Sequence, residues 1–266
     1  MQIWAHGSTV LVVGSQAPRA PLNKSIIAAK ISQYWRVSVV DLTASTQNDL
    51  AELVNSSVAK SGELIAAEFQ SAGRGRLDRT FEAPPASALL FSFYLQPKRE
   101  RSDWSFISFL AAIVMQEVIS EGLVENATLK WPNDILIGEK KTAGLIAQQT
   151  DHGVIVGIGL NVAMSEAELP VPTATSLALT GSKKLDRNEL LAEFLNSFEN
   201  IFTQWDSGVD FVDKYRQISS TIGQEVRVEV AGRVPIEGKA VAISAQGALI
   251  LSDGFEVNVG DVVHLR

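Results

Sequence analysis

Residues 129–161 read LKWPNDILIGEKKTAGLIAQQTDHGVIVGIGLN, and they alternate short apolar runs with turn-forming residues. Apolar runs of this length between turn residues are typical of β-strands. Gly138 marks a turn between the second and third of these runs. The stretch therefore predicts successive strands, at Leu129–Trp131, Ile135–Ile137, Thr142–Ala147 and Val154–Leu160.

Upstream of residue 129 the pattern alternates between strand-like and helix-like segments. Runs rich in apolar residues predict further strands, at Val37–Leu42, Leu64–Phe69 and Leu89–Leu95. Helical patterns predict helices at Asn48–Lys60, after the start signal Ser45-Thr46, and at Trp104–Ile119, with a short one within Lys24–Trp35. Because Trp104–Ile119 is apolar on nearly every side, we expect it to pack against a sheet. The main part of the chain is thus predicted to mix helices and strands.

A long helix is predicted downstream, beginning after Asp186. The Asp186 side chain can cap the free N–H groups of the first turn, and Glu189 stands three residues on, as in a capping box. Apolar residues then recur at helical spacing from Leu190 to Trp205. This spacing favours core packing of the stripe over a cofactor site.

From Ile222 the chain is rich in valine and glycine, with short alternating runs. Turns at Ala231-Gly232, Gln246-Gly247 and Asp253-Gly254 separate several of them. The runs predict about five strands of a small β-barrel, at Glu225–Val230, Ile236–Ile243, Ala248–Leu251, Glu256–Val259 and Val262–Leu265. Three parts are therefore predicted: residues 1–36 without a clear role, a main domain over 37–217 and a barrel over 218–266.

Composition narrows the class of protein. The chain has 266 residues, a net charge of −7 and no cysteine. Broad nucleic-acid binding is disfavoured because it needs many cations to neutralise phosphates, and no room for a helix-turn-helix precedes Val37. Cysteine-ligated metal centres are excluded, and the absence of an apolar leader favours a cytoplasmic protein without membrane attachment.

A basic, glycine-containing segment is the first that can carry chemistry. Gln70–Phe81 reads QSAGRGRLDRTF, with arginines at 74, 76 and 79. Glycines let backbone approach a ligand, and each arginine can bind an anion through two parallel hydrogen bonds. An anion-binding loop and a solvated hairpin are equally good interpretations of this composition alone.

Three further segments carry candidate residues, and each also has a plain structural interpretation. Lys130–Asp134 offers a lysine for phosphate and an aspartate for Mg²⁺, or an ordinary turn. Lys141–Gly144 places a lysine at the start of a strand, facing either a pocket or solvent. In Gly157–Asn161 alternate glycines clear one face of a strand for a ligand, or mark a bulge.

Taken together and in order, these segments resemble the biotin protein ligases, which attach biotin to a lysine of carboxylase carrier domains. The resemblance runs from about Val37 to the C-terminus and rests on Ser45-Thr46 with Gln70, Gly73–Arg76 and the three segments above. It implies an α+β fold, a mixed sheet packed with helices as in class II aminoacyl-tRNA synthetases, followed by an SH3-like barrel. This agrees with the fold predicted from the patterns.

The resemblance also implies roles for individual residues. Catalysis falls to Lys141, Arg74 and Arg76. Biotin binding falls to Ser45, Thr46, Gln47, Gln70, Arg74, Gly75, Arg76, Lys141, Gly144, Gly157 and Gly159. Contacts to ATP and the adenylate fall to Arg76, Arg79, Phe81, Lys130, Asn133, Asp134, Lys141 and Asn161, with Asp134 on Mg²⁺.

Four positions depart from the family pattern. Gln47 stands where the family usually has asparagine, Asp78 where it has glycine and Phe81 where it has tryptophan, while Gln148 replaces a commonly acidic residue. Asp78 puts a carboxylate among the arginines, where it can either pair with Arg76 or Arg79 and compete with phosphate or serve as an ordinary turn residue. These departures bear on the details of the loop and on the rate.

The implied substrates are biotin and ATP with Mg²⁺, and the implied partner is the biotin carboxyl carrier domain of acetyl-CoA carboxylase or a related carboxylase. No DNA or membrane partner is expected, and the chain is expected to be a monomer or a weak homodimer. Two alternatives stay open: a lipoate- or octanoate-type protein ligase, and a non-catalytic biotin-binding regulator.

Overall fold

Two sheets and five α-helices make up the part of the chain that the structure, a computed structural model, describes: residues 19–76, 79–123, 125–230, 232 and 234–265. The first sheet contains β1 (Arg36–Thr43), β2 (Glu63–Gln70), β3 (Ala88–Leu95), β4 (Thr128–Lys130), β5 (Asp134–Ile137), β6 (Lys140–Gln149) and β7 (Val154–Asn161). The second contains β8 (Glu225–Glu229), β9 (Ile236–Ile243), β10 (Leu249–Leu251), β11 (Glu256–Val257) and β12 (Asp261–His264). The helices are α1 (Lys24–Ala28), α2 (Thr46–Asn55), α3 (Ile107–Ser120), α4 (Arg187–Asp206) and α5 (Val212–Gln217).

The first sheet is mixed, with the strand order β1-β2-β3-β7-β6-β5-β4. β1 and β2 run parallel with α2 as their crossover, and the other neighbours are antiparallel. Tight turns allow the antiparallel pairs, and Gly138 has a φ of 59°, as the turn between β5 and β6 requires. The mixed sheet packed with helices is therefore confirmed.

The central strands β3 and β7 are buried along their whole length, because elements cover both faces of the sheet. On one face Phe91 and Phe93 meet α4, with ring centroids 5.3 Å from Phe194 and 4.9 Å from Phe198 respectively. Burying each such side chain contributes roughly 1.5–3 kcal/mol. The apolar stripe of α4 is thus part of the core, as its spacing predicted.

The helical stretch Arg101–Ser120, a 3₁₀ turn followed by α3, is long and apolar enough to cross a membrane by composition alone. However, 72% of its apolar window is buried inside the protein. It packs against α4 and the sheet, which explains why it is apolar on nearly every side.

The start of α4 is capped as predicted: Asp186 Oδ1 accepts hydrogen bonds from the N–H groups of Asn188, at 2.8 Å, and Glu189, at 3.4 Å. The Glu189 carboxylate, which the pattern predicts to close a capping box, forms an ion pair with Lys30. The cap therefore depends on Asp186.

The described part of the N-terminal segment is fastened to α4. Arg187 donates to Ala20 O at 2.8 Å and pairs with Glu68 at 2.7 Å, and its side chain is only 3% exposed. Arg19 pairs with Glu168 at 2.6 Å. Of the helix predicted within Lys24–Trp35, only α1 forms.

The second sheet is a small antiparallel sheet in the order β11-β10-β9-β8-β12, consistent with a barrel-like domain. Buried Val226 and Val228 alternate with exposed neighbours on β8, as the alternating pattern predicted. Gly247 and Gly254 take a φ of 86° in their turns, while Ala231 lies outside the described residues. The predicted boundary after residue 217 falls at the end of α5, and the division into domains stays a prediction.

Trp131 joins the two sheets. Its indole Nε1 donates to Gly247 O at 2.9 Å, and its backbone N–H donates to Thr221 Oγ1 at 3.0 Å. The ring is only 1% exposed. The smaller sheet is therefore anchored beside the residues that immediately precede β5.

Candidate active site

A pocket lies on the face of the first sheet that α4 does not cover. Its walls come from the start of α2, the end of β2, the loop that follows β2, strands β3, β5, β6 and β7, and one residue of β12. Among the residues lining it are most of those predicted from the sequence: Ser45, Thr46, Gln47, Gln70, Arg74, Gly75, Arg76, Arg79, Phe81, Asn133, Asp134, Lys141, Gly144, Gly157 and Gly159. The fold thus brings segments that are far apart in sequence to one place.

Glycines form the floor of the pocket. Gly144 of β6 pairs with Gly159 of β7, so that adjacent strands lack side chains at the same level. A Cβ at Gly159 would lie 2.7 Å from the Phe81 ring, and one at Gly157 would lie 2.6 Å from Gln47 Oε1. A side chain at either position would therefore displace Phe81 or Gln47 from the pocket, and the regular pairing of both glycines with β3 and β6 shows that they do not mark a bulge.

At one end of the pocket Gln70 fixes the beginning of α2. Gln70 Oε1 accepts from the Thr46 N–H at 2.8 Å and from Thr46 Oγ1 at 3.0 Å. Because a backbone N–H can only donate, the amide must present its oxygen here. The Thr46 hydroxyl has then used its proton, so Ser92 Oγ donates to it at 2.8 Å.

Two buried oxygens at this end lack a hydrogen-bond partner among the described residues: Ser45 Oγ and Gln47 Oε1. Ser45 is 1% exposed and Gln47 is 2% exposed. Gln47 Nε2 donates to Ile155 O at 3.3 Å, which turns Oε1 away from β7's backbone. A buried acceptor without a partner costs about 1–3 kcal/mol, so this end of the pocket suits a ligand with N–H donors.

The described parts of the arginine-rich segment pair with each other as the two sides of a hairpin at the pocket. Arg74 pairs with Thr80 across it, Gly75 N–H donates to Arg79 O at 2.7 Å and Phe81 N–H donates to Gly73 O at 2.9 Å. Leu77 and Asp78 lie outside the described residues, so the prediction about Asp78 concerns a position that the structure does not describe.

The arginine side chains of this hairpin reach three different elements. Arg74 donates to Asn48 Oδ1 of α2 at 3.0 Å, Arg76 donates to Asn133 Oδ1 at 3.1 Å, and Arg79 forms an ion pair with Asp261 of β12. Burial lowers the pKa of the Arg76 guanidinium. It nevertheless stays charged near neutral pH, as arginine does in proteins.

Asn133 orients Arg76. Its Nδ2 donates to Leu145 O at 2.9 Å, and Leu145 N–H donates back to Asn133 O at 2.9 Å. The carbonyl of Leu145 can only accept, so the amide oxygen of Asn133 must face Arg76. Asn133 therefore holds a cation at the wall of the pocket.

Lys141 and Asp134 form the charged centre of the pocket. Lys141 Nζ lies 2.6 Å from Asp134 Oδ1, and the lysine side chain is 41% exposed. A Cβ at Gly144 would lie 3.1 Å from Lys141 Nζ, so this glycine leaves room for the ammonium. The sequence left a pocket and solvent both open for Lys141, and the structure places its side chain at the wall of the pocket and partly in solvent.

Two predicted nucleotide-side residues do not line the pocket. Lys130 lies at the end of β4, where its charge acts on His264. Asn161 is 5% exposed and donates through Nδ2 to Thr175 O at 2.9 Å. Their predicted contacts with ATP stay predictions.

Other residues line the pocket that the sequence did not predict. Ser92 and Leu90 come from β3, and Asp261 comes from β12. Ser92 carries a usable signal, since it is a hydroxyl within the apolar run Leu89–Leu95. Asp261 carries none, because only the docking of the second sheet brings it here.

Two family models match this chain: the biotin/lipoate A/B protein ligase family over residues 39–163, and the biotin protein ligase C-terminal domain over residues 221–265. The first match covers the strands that build the pocket, and the second covers the smaller sheet.

Relatives match over most of the chain. The biotin–[acetyl-CoA-carboxylase] ligase of Mycobacterium tuberculosis is 34% identical over 244 residues, which cover 87% of this chain and 90% of that protein. The bifunctional ligase/repressor BirA of Bacillus subtilis is 30% identical over 79% of this chain and 67% of its own length. Biotin protein ligase from Aquifex aeolicus, in complex with biotin and ATP, has a TM-score of 0.73 and 29% identity, covering 87% of this chain and 99% of that one.

Proposed function

Because this chain belongs to the biotin protein ligase family, we propose that it joins biotin and ATP into biotinyl-5′-AMP with release of pyrophosphate, and then transfers biotin to a lysine of a carrier domain with release of AMP. The observation that carries this proposal is the pocket. It connects buried acceptors at Ser45 and Gln47 to the cations Lys141 and Arg76 across a floor without side chains.

Biotin matches both ends of that pocket. Its fused ring has N–H donors, for which Ser45 Oγ and Gln47 Oε1 are unpaired acceptors. Its carboxylate lies at the end of a flexible chain that the glycine floor can accommodate. Lys141 is the cation that we assign to this carboxylate, since it lines the same pocket.

The first step brings two anions together. A carboxylate oxygen of biotin attacks the α-phosphorus of ATP, the bond from that phosphorus to the bridging oxygen breaks, and pyrophosphate leaves. Lys141, Arg74 and Arg76 offset the repulsion and hold the groups in line. Lys141 must exchange its partner Asp134 for the substrate carboxylate in this step.

We assign Asp134 to Mg²⁺. Among the described residues no group of three or more histidine, cysteine, aspartate or glutamate side chains could hold a metal by itself. Mg²⁺ commonly needs only one or two protein carboxylates when substrate phosphates supply other oxygens, so Asp134 fits it. The ion, when bound, neutralises charge that develops on the phosphates.

The second step needs the adenylate protected from water. The hairpin carrying Arg74 and Arg79 lies over the pocket and can exclude solvent around this reactive anhydride. The neutral amine of the acceptor lysine then attacks the carbonyl carbon, AMP leaves with the electrons of the broken bond, and the new amide loses a proton.

We further propose the biotin carboxyl carrier domain of acetyl-CoA carboxylase or a related carboxylase as acceptor, supported by the name of the Mycobacterium tuberculosis relative. A cytoplasmic location, a monomer or weak homodimer and the absence of DNA binding complete the proposal. The location and the absence of DNA binding rest on the sequence, and the oligomeric state rests on the family resemblance alone.

One experiment tests the function directly: the chain is incubated with biotin, MgATP and a carrier domain, and the carrier is weighed by mass spectrometry. A mass increase of one biotinyl group is expected, and a carrier whose acceptor lysine is replaced by arginine should gain nothing. Lipoate and octanoate in place of biotin are expected to give no product. An unchanged carrier mass with biotin contradicts the proposal.

A further inference from the structure

A small apolar cluster packs against the Phe81 ring at the edge of the pocket. We call it the Phe81 cluster, and its members are Phe81, Ala83, Ala88, Leu90, Met164 and Leu169. Two stretches of the chain that are far apart in sequence supply these side chains, residues 81–90 and residues 164–169. The position of the Phe81 ring therefore depends on how these two stretches are held together.

The Phe81 ring lies at the level of the charged centre of the pocket. A Cβ on Gly159 would lie 2.7 Å from this ring, and Gly159 pairs with Gly144, which in turn pairs with Asp134. Gln47, which we assign to the biotin ring, lies against the glycine two residues earlier on β7. Since biotin extends from Gln47 to the charged centre in the proposed reaction, Phe81 borders the part of the pocket that is left for the nucleotide.

One guanidinium joins the two stretches. Arg19 Nη2 donates to Ala163 O at 2.8 Å and to Glu168 Oε2 at 2.6 Å, and Arg19 Nη1 donates to Pro85 O at 3.4 Å. Pro85 belongs to the first stretch, Ala163 directly precedes the second, and Glu168 belongs to the second. Arg19 itself is not among the residues that line the pocket.

The Glu168 carboxylate also fixes the turn that leads to Leu169. Its Oε2 accepts from the Ser165 N–H and from Ser165 Oγ, each at 2.8 Å. The side chains of Arg19 and Glu168 are only 16% and 25% exposed, so solvent screens their ion pair less than it would at the open surface. A single carboxylate thus connects Arg19 to the turn beside the Phe81 cluster.

We propose that Arg19 is a positioning residue for the nucleotide side of the active site, because it holds residues 81–90 and 164–169 together around Phe81. Its planar guanidinium suits this role, since several N–H groups in a fixed fork reach two carbonyls and a carboxylate at once. An aromatic ring beside a base contributes to its binding, so displacement of Phe81 weakens the nucleotide. The inference rests on the proposed function, in which ATP occupies this side of the pocket.

Two other roles for Arg19 predict different results. If Arg19 only stabilises the fold, its loss lowers the free energy of unfolding but weakens neither substrate selectively. If Arg19 attracts ATP by its charge alone, removing this cation weakens ATP, whereas removing the Glu168 anion strengthens ATP. A positioning role predicts that both changes weaken ATP, because each breaks the same ion pair.

The test measures KM for ATP and KM for biotin by pyrophosphate release, each with the other substrate saturating. Arg19→Ala is expected to raise KM for ATP about fivefold, the lower end of what one contact between a base and an aromatic ring contributes. KM for biotin should stay within about twofold. Glu168→Gln should also raise KM for ATP, by a smaller factor, since an amide oxygen still accepts from Arg19.

Two further variants complete the set. Arg19→Lys keeps the charge but not the fork, so its KM for ATP should lie between those of Arg19→Ala and the unaltered chain. Lys30→Ala is the matched control, because it breaks an exposed ion pair of the same N-terminal segment, with Glu189, away from the Phe81 cluster. It should change neither KM.

A double variant tests the connection between the two partners. In an Arg19→Ala background, Glu168→Gln should raise KM for ATP no further, because both residues act through one ion pair. Additive rises, equal rises in KM for both substrates, or an unchanged KM for ATP in a folded Arg19→Ala protein would each overturn the inference. If Arg19→Ala does not fold, Glu168→Gln decides, and a lower or unchanged KM for ATP overturns it. Failure of the unaltered chain to release pyrophosphate with biotin and ATP would instead overturn the proposed function.

Discussion

The Lys141 ammonium forms an ion pair with the Asp134 carboxylate in the structure. In the proposed reaction it pairs with the biotin carboxylate instead. Its neighbour Lys140 is exposed and lies outside the pocket that Lys141 lines. The two adjacent lysines therefore provide a matched pair for testing the site.

Lys141→Ala is expected to lower the rate of biotinyl-adenylate formation by at least about 100-fold, because it removes a charge that stabilises the reacting anions. Arg76→Ala should act in the same direction. The measurement is pyrophosphate release, with Lys140→Ala as the control and circular dichroism to verify folding. Near-normal release by a folded Lys141→Ala protein would remove Lys141 from the mechanism.

Asp78→Gly addresses the loop position at which this chain departs from the family. We expect the substitution to tighten ATP binding up to about fivefold, because a carboxylate at this position can compete with phosphate for Arg76 or Arg79, and a single ion pair of this kind is worth no more than about 1 kcal/mol. Isothermal calorimetry with ATP measures the change. An unaltered affinity would mean that the loop accommodates Asp78 as an ordinary turn residue.

Individual residues also show which features of the site could be predicted from the sequence and which could not. Lys141 and Arg76 were predicted together because both belong to segments whose order is specific. The unpaired state of Gln47 Oε1 was not, since it depends on Ile155 of a distant strand. The hydrogen bond from Asn161 to Thr175 was not predicted either, because Thr175 follows a loop with no recognisable pattern.

Among the helices and strands, α4 has the clearest sequence signal, and the contribution of its N-cap to the free energy of unfolding can be measured. Asp186→Ala is expected to lower the free energy of unfolding by about 1 kcal/mol, because two first-turn N–H groups lose their acceptor. Urea denaturation measures this difference. Asp213→Ala, at an exposed side chain, should stay within about 0.5 kcal/mol. Equal effects of both substitutions would contradict the role of the cap.

The Glu168 carboxylate, in the 3₁₀ turn Glu166–Glu168, is expected to make the free energy of unfolding depend on pH. Burial alone raises the pKa of this carboxyl, but hydrogen bonds from Arg19 and Ser165 outweigh burial and bring the pKa to about 2. The unfolded pKa is near 4.5, so the stabilisation is present above that pH and is lost as the pH falls toward 2.

Glu168→Gln should therefore unfold more easily than the unaltered chain at pH 7, and the difference should shrink steadily between pH 4.5 and 2. Urea midpoints across this range provide the measurement. A difference that does not change with pH would show that the carboxylate charge contributes nothing.

The bounds of the buried strand β3 were predicted better than those of the helix α2, and the reason is physical. Apolar runs such as Leu89–Leu95 mark buried strands by themselves, whereas α2 begins at Thr46 and not at Asn48. The side chain that satisfies the first turn of α2 is Gln70 of β2, so the helix start depends on tertiary packing. Local patterns cannot contain that information.

At the level of the whole molecule, the ion pair between Arg79 and Asp261 links the hairpin over the pocket to the smaller sheet. Asp261 also favours the charged form of Arg76. The smaller sheet thus supplies a negative charge to a site whose substrates are anions.

Asp261→Asn is expected to strengthen ATP binding up to about fivefold, because the exposed Arg79 side chain no longer has a carboxylate partner to give up. The affinity should also become more sensitive to salt, because salt then screens the attraction between ATP and Arg79 without also weakening a competing ion pair. Asp253→Asn, in an exposed turn of the same sheet, serves as the control. Weaker ATP binding by Asp261→Asn would contradict this and would make Asp261 a supporting residue.

Trp131, anchored to Gly247 and Thr221, has a consequence for hybrid enzymes. A chimera that takes its C-terminal part from a relative inherits a foreign turn beneath this indole and a foreign residue opposite Arg79. In a chimera fused at residue 217, the residues at 79 and 261 should therefore come from the same parent, and so should Trp131 and the turn at residues 246–247. Chimeras that take these partners from different parents should still fold, but their affinity for nucleotide should differ from that of both parents.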